Sequence, residues 1–122
     1  MIDNYKIEID FKVFERVMQG KCTFIALVND KTRQIYKVGN IIELETVIAV
    51  ENNKKKTECV SAKILNLLYF ENVKDLVDMV GKEKIGYPKS ANVDKIEDGF
   101  VATYSNEGIE KFGLVAVEFK LD

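Results

Sequence analysis

Gly20-Lys21-Cys22-Thr23-Phe24-Ile25-Ala26-Leu27 is the stretch from which the rest of the chain can be ordered. Just before it, Phe11, Phe14, Val17 and Met18 recur at three- and four-residue steps behind Asp10, the pattern of a short amphipathic helix with an aspartate N-cap. Gly20 stands where such a helix ends in the left-handed region. After it, Thr23, Ile25 and Leu27 fall on one face of a strand, and Phe24, Ala26 and Val28 on the other. A strand that is apolar on both faces must be covered on both.

Working outward, Tyr5 to Asp10 alternates with period two and is expected to form a first strand, while Asn29-Asp30-Lys31 turns the chain after Val28. Lys37-Val38-Gly39-Asn40 is a second turn. It delivers the chain into Ile41 to Val50, a strand rich in β-branched residues. Asn52-Asn53-Lys54-Lys55-Lys56 is expected to be a polar hairpin tip, followed by a returning strand from about Thr57 to Leu68. The period then becomes helical through Val73, Leu76, Val77 and Val80, with Asn72 or Glu71 as cap and Gly81 as stop. Gly86-Tyr87-Pro88 is a loop. Ser90 or Asn92 caps a further helical segment in which Val93, Ile96, Phe100, Val101 and Tyr104 share a face, and Phe112 to Phe119 is a strongly apolar last strand. No linker, repeat or low-complexity segment divides these pieces. The expectation is a single α+β domain over 1–122: a mostly antiparallel β core, closed as a barrel, with two or three helices on its rim.

Composition narrows the chemistry. At 122 residues and 47% apolar the chain can bury a core without staples. Its two cysteines, Cys22 and Cys59, have no metal-site spacing and are expected to stay thiols in a reducing cytoplasm. There is no histidine, which excludes serine–histidine and cysteine–histidine nucleophile pairs and mixed Cys/His zinc sites. No metal or cofactor is expected. Met1 to Lys6 lacks a basic region followed by an apolar core, and no apolar run approaches the roughly 18 residues of a membrane span. A cytoplasmic protein with no membrane association is the expectation. With 18 basic and 20 acidic residues, only Arg16 and Arg33 being arginine, the chain has no overall basic excess for nucleic acid. Any nucleic-acid face would have to be a local lysine patch.

The order of these elements resembles the ASCH domain, a family within the PUA-like β-barrel group, over nearly the whole chain. The resemblance is carried by the helix ending at Gly20, the Asn29-Asp30 turn and the Lys37-Val38-Gly39 turn before a long strand. It continues in Lys63-Ile64-Leu65 leading through Tyr69 into the Val73 to Val80 helix, in Lys84-Ile85-Gly86, in Tyr104-Ser105, and in Phe112-Gly113-Leu114-Val115-Ala116-Val117. The family carries a signature of glycine, lysine two residues on, glutamate at five and arginine at seven, lining a cleft beside the barrel. Here those positions hold Gly20, Cys22, Ile25 and Leu27, so only the glycine is kept. Lys21 is one residue from the expected lysine, and Asn40 stands where an aspartate follows the second turn.

The resemblance implies a binding module associated with RNA, which here would act through Lys21, Lys37, the Lys54 to Lys56 tip and Tyr69 as a stacking surface, with Lys21, Cys22, Thr23, Ile25, Leu27, Lys37 and Tyr69 as the cleft candidates. A second reading is an interaction or small-ligand module, protein partners included, in which Thr23, Ile25 and Leu27 line an apolar or collapsed cleft. Some small bacterial members of the family hydrolyse the acetyl amide of acetylated cytidine with a lysine, a threonine and a glutamate. With Cys22 and Ile25 at the motif positions, and no nucleophile possible at an isoleucine, that reaction is disfavoured and no catalytic residue is assigned. Cys22 as a reactive thiol lacks an electropositive setting.

Overall fold

The computed structural model describes residues 4–122. Its strands are β1 (Asn4–Glu8), β2 (Phe24–Val28), β3 (Ile41–Glu51), β4 (Lys54–Phe70) and β5 (Leu114–Leu121). Its helices are α1 (Phe11–Met18), α2 (Val73–Val80) and α3 (Val93–Phe112). The strands form one mixed sheet in the order β1-β3-β4-β5-β2. β1 runs parallel to β3, and the other three pairings are antiparallel.

The sheet does not close into the expected barrel. β1 and β2 are its two edges, and β1 ends after five residues because Asp10 at once caps α1, accepting from the Lys12 amide at 3.3 Å. The chain therefore turns away before β1 can run alongside β2. Two irregularities, between Val47 and Ala49 and between Ile64 and Asn66, are the local breaks at which bulges bend a strand and increase its twist.

α1 ends as its sequence requires. Gly20 has φ +77°, its amide donates to the Val17 carbonyl, and the Lys21 amide donates to the Arg16 carbonyl, the paired bonds of a Schellman motif. Asn72 and Asn92 cap α2 and α3 by accepting from the Asp75 and Asp94 amides, each at 2.8 Å. The lysine run differs from its expectation: Lys54, Lys55 and Lys56 lie inside β4, opposite Glu51, Val50 and Ala49. Only Asn52 and Asn53 form the tip, with φ of 50° and 64°. α3 is also more than one smooth helix, for Ser105 leaves helical geometry at φ 68°, ψ 157° and its Oγ accepts from the Gly108 amide at 3.1 Å.

The requirement that β2 be covered on both faces is met by two separate cores. On one face Ile25 and Leu27 pack with Ile7, Ile42, Leu44, Ile64, Val115 and Val117 from the other strands, and with Val17 of α1. On the other, Phe24 packs with Leu76 and Val77 of α2 and Ile96 and Phe100 of α3. Each large side chain so buried contributes about 1.5–3 kcal/mol, which is why residue-by-residue alternation along β2 fixes the sheet between two helical layers.

Candidate functional site

The gap left between the end of β1 and the edge strand β2 is a cleft of about 210 Å³. Its floor is Ile25, Ala26 and Leu27 of β2. One wall is Glu8, Ile9 and Asp10, where the chain passes from β1 to α1, together with Val13 of α1. The opposite wall is Ile85 and Tyr87 of the 81–92 loop and Gly99, Phe100, Thr103 and Tyr104 of α3. The loop is pressed against α1 at Gly86, where a Cβ would come 2.9 Å from Val13 Cγ1. At φ +101°, Gly86 lets Tyr87 reach the cleft while its own backbone hugs the helix.

The polar side chains of this cleft are two carboxylates, two phenols and one hydroxyl. Glu8 and Asp10 supply carboxylates, and no lysine or arginine lines it. Burial raises the hydroxyl pKa of Tyr87, and the nearby Asp10 charge raises it further. Burial likewise raises that of Tyr104, against the lowering effect of Arg33, whose guanidinium lies 6.0 Å from the Tyr104 ring centroid and pairs with Asp30 at 2.8 Å. Both phenols therefore keep their protons at neutral pH and can donate. The Thr103 hydroxyl is engaged with the Gly99 carbonyl at 3.0 Å.

A second groove adjoins the first and shares Asp10, Val13 and Tyr87 with it. It encloses about 620 Å³ between α1 and the 81–92 loop and carries Lys12, Arg16 and Lys21 beside Asp10 and Glu15.

The candidate residues named from the sequence are distributed rather than gathered. Ile25 and Leu27 form the cleft floor and are also core, at 4% and 5% exposure. Lys21 is exposed and belongs to the second groove. Cys22 is buried in the core, its thiol donating to the Phe24 carbonyl at 3.3 Å, and burial pushes its pKa up to about 11. Thr23 lines neither cavity; its amide donates to the Lys84 carbonyl and its carbonyl accepts from Phe119. Lys37 and Tyr69 are exposed and lie outside the cleft, Lys37 in the 29–40 turn and Tyr69 near the end of β4.

Missed from the sequence were Glu8, Asp10, Tyr87, Phe100 and Tyr104, which reach the cleft from three distant segments. The available signal was Gly86-Tyr87-Pro88, a loop aromatic fixed between a glycine and a proline.

No family model matches this chain, and no curated protein matches it. Four solved chains do. The crystal structure of the hypothetical protein PH0355 has a TM-score of 0.77 at 18% identity, covering 98% of this chain and 99% of its own. The solution structure of protein PF0455 from Pyrococcus furiosus has a TM-score of 0.72 at 16% identity, covering 97% and 96%. At such identities the likeness establishes a shared α+β fold over the full length and nothing about activity. Among the described residues, no helix is long and apolar enough to cross a membrane.

Proposed function

We propose that this chain is a binding module of the ASCH type, within the PUA-like group, and that its ligand is a small molecule seated in the cleft on β2. The observation that carries this reading is the floor of Ile25 and Leu27. It lies at the place where the resembled family carries its glutamate and arginine, yet the cleft is open rather than filled. An apolar floor with a few convergent polar groups on its walls is the usual makeup of a small-ligand site. Cys22 and Ile25 at the motif positions, with Lys21 in a different groove, support binding over acetylcytidine hydrolysis. The reading is tested by titrating the isotope-labelled protein with a panel of nucleosides and small amines and following the Ile25 and Leu27 methyl signals. Shifts at those methyls support it, and shifts only elsewhere refute it.

One observation favours RNA as a second reading. Lys12, Arg16 and Lys21 line one groove, three cations that can follow a phosphate backbone past the cleft mouth. Binding of short single-stranded RNA that weakens steeply with salt, and that is lost in a Lys12→Ala, Arg16→Ala, Lys21→Ala triple variant, is the result this reading requires. Affinity undetectable at low salt removes it.

A further inference from the structure

The cleft's chemistry goes further than its position. Its charged lining consists of the carboxylates of Glu8 and Asp10, with no cation of its own to neutralise them. Facing them are three aromatic rings, Tyr87, Phe100 and Tyr104, and the two phenols remain protonated donors and acceptors. The floor between these walls is Ile25 and Leu27, with Ile9, Val13 and Ile85 around it. An anionic ligand seated in the cleft would meet two like charges, since Lys12, Arg16 and Lys21 belong to the adjoining groove and not to this lining, and a wholly apolar one would leave both carboxylates at its edge unused. A positive group attached to an apolar body matches every part of the lining: carboxylates for its charge, ring faces for its polarised C–H and N–H groups, and a branched aliphatic floor for its carbon chain. A volume of about 210 Å³ accommodates a short apolar body with one charged group.

We propose that the cleft recognises an organic ammonium ion, an amine carried on a short apolar body, held between Glu8 and Asp10 and the faces of Tyr87 and Tyr104. The inference rests on the cleft reading above and names the ligand class for it. Asp10 and Glu8 orient the charge, Tyr104 and Tyr87 flank it, and Ile25 with Leu27 accept the chain. Arg33, paired with Asp30, lies 6.0 Å from the Tyr104 ring centroid but does not line the cleft.

The test compares three probes of the same length, n-butylammonium, n-butanol and butyrate, by methyl and amide shift titration at low salt. The expected result is saturable movement of the Ile25 and Leu27 methyls with butylammonium at an affinity about tenfold above that for butanol, and no saturation with butyrate. In Asp10→Asn, which keeps a good helix N-cap, and in Glu8→Gln, the preference for butylammonium over butanol falls several-fold while the fold is unchanged. Equal affinity for butanol and butylammonium, or tighter binding of butyrate, overturns the ammonium assignment and leaves the cleft as a site for another class. No movement of Ile25 or Leu27 with any probe of either charge, or with the nucleoside panel, overturns the cleft reading and this inference with it.

Discussion

Cys22 and Phe24 are joined by a hydrogen bond from thiol to carbonyl at 3.3 Å, although their side chains belong to different cores. The contact ties the end of α1 to the start of β2 and holds the thiol away from water. Burial drives its pKa from 9.0 to about 11, against the smaller lowering effect of the Arg16 charge. Two units correspond to roughly a hundredfold less thiolate at pH 8. A thiol reagent at that pH is expected to label exposed Cys59 promptly and buried Cys22 far more slowly, counted by mass spectrometry. Equal rates would contradict the buried setting.

The same shift sets a pH dependence. The folded-state thiol ionises later than the unfolded one, so its contribution to stability is complete below the unfolded pKa and is lost as pH rises from about 9 towards 11. Denaturant midpoints at pH 8 and pH 10.5 should show a loss of up to roughly 2 kcal/mol from this group, absent in Cys22→Val.

At the β3–β4 hairpin, Asn52 and Asn53 both have positive φ, the geometry of a tight two-residue turn. Asn53→Gly should leave stability unchanged or raise it by a few tenths of a kcal/mol, and Asn53→Ala should lower it by about 1 kcal/mol. Thermal unfolding reads both, since about 1 kcal/mol moves the midpoint by a few degrees in a domain of this size.

Gly20 and Gly113 differ in what surrounds them. Gly20→Ala meets open space and suffers only the strain of φ +77°, about 1 kcal/mol. A Cβ at Gly113 would lie 2.9 Å from the Phe70 carbonyl oxygen at φ +69°, so Gly113→Ala is expected to cost at least about 2 kcal/mol. Chemical denaturation of the two variants side by side gives the order.

Ile25 is floor and core at once. Ile25→Ala is expected to cost about 2–4 kcal/mol while enlarging the cleft. A cost below about 1 kcal/mol would mean the side chain is not packed as the structure has it.

The parts of the fold that sequence made legible are those decided locally. Asp10 and Gly20 bracket α1, Asn72 and Asn92 cap their helices, and the two-faced apolarity of β2 required layers on both sides. What failed depended on distant partners. Barrel closure is prevented by the shortness of β1 and its parallel pairing to β3, which its five residues do not announce. Lys54 to Lys56 looked like a tip because exposed lysines in an extended hairpin arm carry no alternation of polarity. The helical face is legible only as far as Tyr104, and the further helical stretch up to Phe112 is not, because Ser105, Asn106 and Gly108 are weak helix formers. Of the candidate site, Ile25 and Leu27 were found because they sit on one strand beside a marked glycine. Glu8, Asp10, Tyr87 and Tyr104 were not, since only the folded chain brings β1, the 81–92 loop and α3 to one cleft.

The most direct measurement is a methyl and amide shift map of the protein titrated with small nucleosides and amines. Saturable shifts are expected at Ile25, Leu27, Phe100 and Tyr104, with Lys37, Tyr69 and the Lys54 to Lys56 arm unmoved. Shifts confined to Lys12, Arg16 and Lys21, or to the lysine arm, with Ile25 and Leu27 silent, would contradict the cleft as the binding site.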